Sequence, residues 1–184
     1  NVLIDGSSFV STVAGTINRA AITLHSANGV RIGGVVTGTG LFTSTGVNFL
    51  NTASISASAI TLTHTGLVTF SANLTAGAGA GAASITGAGV NQTDGVLKAG
   101  TLLLKGTGTF TLNKANLVGK LAADIHGPLS YTNNIDLVVG LIGSTSGIST
   151  HDAPLHLTLT NGNLLVNQAI TTGTGAITFN VPNG

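Results

Sequence analysis

Charged side chains make up only 6% of this 184-residue chain, and its five acidic residues are all Asp. Ordinary soluble proteins carry about 25%. No other feature constrains the fold as strongly, because a surface helix presents Glu, Lys and Arg to water on its outer face. Without them, helix is disfavoured along the whole chain. In their place stand Thr, Ser, Asn and 27 Gly, alternating with Ile, Leu, Val and Ala. Such alternation is the pattern of strands, and Gly with Asn and Ser supplies the tight turns between them. An all-β fold is expected.

A repeat sets the scale of the alternation. The tetrapeptide Ala-Ile-Thr-(Leu/Phe) occurs at Ala21 to Leu24, Ala59 to Leu62 and Ala176 to Phe179. Its offsets are about 38 and 117 residues, roughly two and six units of 19 to 20. The first two copies share an upstream Ile, Ile17 and Ile55, and a following Gly-apolar pair, Gly29-Val30 and Gly66-Leu67. A second word, Gly-x-apolar-x-apolar-(Asn/Ser), spans Gly66 to Ser71, Gly108 to Asn113, Gly162 to Asn167 and Gly175 to Asn180, and reads as turn, strand, turn. Its last two copies lie too close for one full unit, so they belong on different faces of a coil. The period places short strands near Ile22, Leu41, Ile60, Leu102, Leu121, Ile135, Leu157 and Ile177. Residues 1–184 are thus read as one β-solenoid rod of roughly nine coils, each of about 20 residues, with Ile, Leu and Val stacked inward and Thr, Ser and Asn outward. At about 4.8 Å per coil the rod is on the order of 40 Å long. The low-complexity stretch Ala76 to Ala82 is read as an ordered coil of small residues, and Pro128, Pro154 and Pro182 fall at turns.

The same composition excludes several classes. A net charge of +1 with scattered cations gives no footprint for a phosphate backbone, so no nucleic acid is expected. The mean hydropathy is +0.49, yet every apolar run falls short of the ~18 residues of a spanning helix, and Leu137 to Leu141 already contains Gly140. No membrane span is expected. Cys is absent, which removes disulfides and thiolate metal sites. The opening Asn1-Val2-Leu3-Ile4-Asp5 lacks the basic and long apolar regions of a signal peptide, so the chain reads as a mature fragment or internal segment.

The C-terminal half resembles passenger proteins of the filamentous haemagglutinin type. The resemblance rests on Ser130-Tyr131-Thr132-Asn133-Asn134, on Gly147-Ile148-Ser149-Thr150, and on the run from Leu155 through Asn161-Gly162-Asn163-Leu164 to Ile177-Thr178. It covers about Gly106 to Gly184 and is one of style before that. It implies a right-handed parallel β-helix exported by two-partner secretion or as an autotransporter passenger, extracellular or on the bacterial surface, with adhesive and biofilm roles. Implied partners are further copies, by filament assembly or end-to-end stacking, and glycans or proteins of host or neighbouring cells. The chain departs from the family at Asn180-Val181-Pro182-Asn183-Gly184, an interrupted form of a motif that belongs to the amino-terminal secretion module, and at the turn His151-Asp152-Ala153-Pro154. It therefore looks like shaft rather than export module.

Chemistry is sparse. Parallel β-helices that cleave polysaccharides need clustered carboxylates or a carboxylate with calcium and Arg or Lys on one face. Asp5, Asp94, Asp124, Asp136 and Asp152 are mostly separated by more than a coil, although Asp124 and Asp136 could approach. Asp124-Ile125-His126 puts a carboxylate and an imidazole on one strand face, and His151-Asp152 is a second neighbour pair. Neither is joined by a nucleophile motif such as Gly-x-Ser-x-Gly. His25, His64, His126, His151 and His156 include no His-Glu-x-x-His, though His151 and His156 could share a turn. Gly77-Ala78-Gly79 and Gly106-Thr107-Gly108 continue into no nucleotide-binding loop, and the calcium nonapeptide is missing. No enzyme activity, catalytic residue, cofactor or metal is expected. Two sequons, Asn73-Leu74-Thr75 and Asn91-Gln92-Thr93, make Asn73 and Asn91 the candidate glycan attachment points. The functional expectation is a structural or adhesive shaft. The alternatives are a carbohydrate-binding or carbohydrate-active β-helix, and an ice-binding solenoid suggested by Thr61-Leu62-Thr63 and Thr158-Leu159-Thr160. Ice binding requires such words in register on nearly every coil, and along the sequence they are sporadic.

Overall fold

The computed structural model describes residues 2–6, 9–11 and 17–181. The chain is a parallel β-solenoid of about nine turns, with coils of about 19 residues. Each strand pairs with the one a coil later, because short strands joined by tight turns satisfy their backbone groups only against neighbouring coils.

Three faces run the length of the rod. The first stacks Val2–Gly6, Ile22–Ser26, Leu41–Gly46, Ala59–His64 and Ala82–Gly87, then the second half of Leu97–Gly106 and the last third of Phe110–Ile125. The second stacks Phe9–Ser11, Gly29–Ile32, Asn48–Asn51, Leu67–Phe70, Gly89–Gln92, the start of Phe110–Ile125, Leu129–Asn133, Leu155–Leu159 and Ile177–Asn180. The third stacks Ile17–Arg19, Val36–Gly38, Ile55–Ala57 and Leu74–Ala76 before joining the two long strands.

Alternation within each strand sends every second side chain inward, and parallel register aligns them into ladders. On the first face Ile22, Phe42, Ile60, Ala83, Leu102 and Leu121 stack in register, all buried. On the second Val30, Phe49, Val68, Val90, Phe110, Leu129 and Leu155 do the same. These are one continuous core rather than a set of local clusters.

Polar side chains enter that core at several places, two of them corners of the coil. At the end of the first face, His64 lies in register with Gly46 on one side, and Gly87 follows the paired Thr63 and Thr86 on the other. Glycine in the flanking coils makes room for a ring where aliphatic packing would otherwise run. At Gly106, with φ 147°, an added Cβ would fall 1.7 Å from the Gly87 carbonyl oxygen, so this coil spacing tolerates no side chain there. At the corner between the second and third faces, the amides of Asn51, Gln92, Asn116 and Asn133 are buried. Gln92 Nε2 donates to Asn116 Oδ1 at 2.8 Å, and Asn116 Nδ2 returns a bond to Gln92 Oε1 at 3.1 Å. Leu97 N donates to Asn116 Oδ1 at 2.9 Å, and Val118 N to Asn133 Oδ1 at 3.0 Å. A backbone N–H opening the third face thus finds its acceptor in a side-chain amide of the next coil.

The repeat words take particular places. The first two Ala-Ile-Thr copies share the first face, whereas Ile177 of the third pairs with Leu155 on the second. The closely spaced copies of the second word do sit differently, Leu164–Val166 against Leu137–Val139 and Ile177–Asn180 against Leu155–Leu159. Leu41 is in a strand but faces outward, and Phe42 takes the inward place. Ile135 is in an exposed turn, not a strand. Two long coils explain the irregular period. The one joining Ile60 to Ala83 contains a single 3-10 turn, Gly77–Gly79, within the low-complexity stretch. The other carries an antiparallel hairpin, Leu141–Ile142 with Thr145–Ser146, between Val139 and Ile148. Pro128 and Pro154 precede the paired strands starting at Leu129 and Leu155, and Pro182 lies outside the described residues.

Candidate functional site

The hairpin coil brings together the densest polar chemistry among the described residues. Asp124 is in register with Ser149, so two residues further along His126 comes level with His151 of the next coil. Asp124 and His126 point to the same side of the strand because they are two residues apart. The His126 and His151 rings stack at 3.7 Å between centroids and 10° between planes. His151 Nε2 and Asp124 Oδ1 are hydrogen-bonded at 2.8 Å, with their side chains 40% and 51% exposed. One donor atom from each of Asp124, His126 and His151 lies within 4.8 Å of the other two.

The backbone beneath His151 is unusual. His151 and Asp152 have φ of 47° and 71°, left-handed values that few residues other than glycine adopt. Contacts within and between coils hold the turn. Thr150 N donates to Thr171 O at 3.0 Å, Thr150 Oγ1 donates to Ala153 O at 2.5 Å, and Thr174 N donates to Asp152 Oδ1 at 2.9 Å. On the other coil His126 N donates to Gly106 O at 2.8 Å. Both imidazoles therefore hang from backbone positions tied into the ladder.

The sequence-level pairs divide accordingly. Asp124 and His126 do share a face, and the partner that joins them is His151, whose own neighbour Asp152 turns away to Thr174. Asp136 accepts the Asn163 backbone N–H at 2.7 Å, which makes it a turn cap. His156 lies in the strand Leu155–Leu159 between Ser130 and Thr178. His64 is buried, with Nε2 bonded to Ser44 Oγ at 3.1 Å, and burial pushes its pKa down to about 4. Tyr131, also buried, has its phenol pushed up by desolvation.

Asn73 and Asn91 are both exposed. Asn73 Oδ1 accepts Val96 N at 2.8 Å, while Asn91 sits between Thr69 and Thr111 on the outside of the second face. In the second sequon Thr93 Oγ1 is engaged with Ser71 Oγ at 2.7 Å and Phe70 O at 3.0 Å. Outside the first face, the short hydroxyl words prove more regular than they look along the chain. Thr23, Thr43, Thr61 and Ser84 form one column, and His25, Thr45, Thr63 and Thr86 a second, over four successive coils. The columns end at Leu103 and Lys105.

Comparison with known proteins adds no relative: no family model, curated protein or solved structure matches the chain.

Proposed function

We propose that this chain is a segment of a non-catalytic shaft of a secreted bacterial surface or filament protein of the filamentous haemagglutinin type, wound as a right-handed β-helix. The supporting observation is the unbroken core ladder: from Val30 through Phe49, Val68, Val90, Phe110 and Leu129 to Leu155, successive coils stack buried side chains in register. A core built by the same nearest-neighbour stacking at every coil makes length a matter of repeat number. Continuation of the solenoid through stacked coils suits a spacer that holds or assembles surfaces at a distance. Electron microscopy of the native material tests this: a filament with a strand repeat near about 4.8 Å along its axis is expected. A compact particle whose edge is capped by an unrelated element would overturn it.

A second reading rests on the two outward columns of the first face, hydroxyl over four coils in one and over three, after His25, in the other. Hydroxyls in register over three to four coils are a small regular array of the sort that orders water, which favours ice binding over sugar recognition as the alternative. Thermal hysteresis that is abolished by Thr43→Leu and Thr61→Leu would support it, and its absence in the unaltered chain would dismiss it.

A further inference from the structure

We propose that Asp124, His126 and His151 form a surface site for one divalent transition-metal ion of the zinc class, with a coordination position left open to water. Two imidazole nitrogens and a carboxylate oxygen suit zinc, and also cobalt, nickel and copper, whereas calcium and magnesium favour all-oxygen shells. Ligands about 2.0–2.1 Å from a tetrahedral ion lie roughly 3.3 Å from one another. His151 Nε2 and Asp124 Oδ1 are 2.8 Å apart, and no two of the three donors are more than 4.8 Å apart. Rotation of exposed side chains closes the remainder.

Several features point to the cluster rather than to a lone hydrogen bond. Two imidazoles stacked face to face from adjacent coils, 3.7 Å between centroids, bring their ring nitrogens close to one another and to the Asp124 carboxylate. Asp124 is in register with Lys105 on its other side, yet its carboxylate bonds His151. The left-handed turn at His151 and Asp152 is the price of presenting His151 level with His126, and strained backbone of this kind gathers at ligand clamps. When the ion binds, the hydrogen bond between His151 and Asp124 gives way to two metal bonds. His151 then carries its proton on Nδ1, and any second imidazole proton leaves to solvent.

Isothermal titration of the untagged chain with Zn2+ alone tests this. One ion per chain is expected, with affinity lowered at least ~10-fold by His126→Ala or His151→Ala and by a smaller factor by Asp124→Asn. His25→Ala and His156→Ala leave it unchanged. The three side chains are exposed, so these variants keep the solenoid, and melting without metal checks that they do. Electron paramagnetic resonance of Cu2+ on the unaltered chain, read for coupling to two nitrogens, needs no variant. Absence of saturable one-to-one binding overturns the proposal, as does equal affinity in the His126→Ala/His151→Ala double variant.

Discussion

Asn116→Ala removes the side chain that holds the corner between the second and third faces. Asn116 Oδ1 accepts from Gln92 Nε2 and from Leu97 N, and its Nδ2 donates to Gln92 Oε1, Leu112 O at 3.2 Å and Thr132 O at 3.1 Å. Gln92 keeps other partners, because its Nε2 also donates to Gly95 O at 2.9 Å and its Oε1 accepts from Lys114 N at 3.3 Å. The Leu97 N–H has no such reserve. A buried donor left unsatisfied costs about 1–3 kcal/mol, and the lost packing adds to it, so a destabilisation of about 2–4 kcal/mol is expected. Asn51→Ala is the comparison. Asn51 Oδ1 is buried without a partner, and only its two donations, to Ala53 O and Ala72 O, are lost, so about 1 kcal/mol is expected. Denaturant unfolding gives the stabilities, and amide exchange at Leu97 reads the orphaned group directly, which matters because solenoids can open locally. Equal effects of Asn116→Ala and Asn51→Ala, with unchanged protection at Leu97, would refute the reasoning.

Three further outcomes follow from the ladders and corners. Phe110→Ala empties a fully buried position and is expected to cost about 3–5 kcal/mol, against less than about 0.5 for its outward neighbour Thr111→Ala, both read from denaturant midpoints. Gly106→Ala drives a Cβ into the Gly87 carbonyl, so the coils must separate, and a loss of at least about 3 kcal/mol in thermal or denaturant unfolding is expected. Acid destabilises through His64, whose pKa of about 4 in the fold lies below the ordinary histidine value of 6.5. The unfolded chain binds the proton first, so stability is full above about pH 6.5, falls as pH drops towards 4, and levels off below, with a total loss of at most about 3 kcal/mol. In His64→Leu the part of the acid slope between those limits should vanish, as measured by melting across that range.

The solenoid was legible in the sequence because its cause is local and repeated. Charge depletion removed the helix, alternation set which side chains point inward, and the recurrent words set the coil length. Ile22, Ile60, Leu102 and Leu121 fall on one inward ladder, as the period requires. A period is blind to a shift of one residue, which is why Leu41 stood for Phe42 although the pleat sends it outward. It is equally blind to insertions. The turn at Gly77–Gly79 and the hairpin at Leu141–Ile142 and Thr145–Ser146 lengthen two coils while the ladders on either side continue. The second insertion decides the cluster at Asp124. Sequence places Asp124 beside His126, but only the registration of Asp124 with Ser149 across the long coil brings His151 level with them. Local alternation thus determined which residues face water, and stacking between coils decided which of those meet, because parallel pairing joins residues by register and not by their distance along the chain.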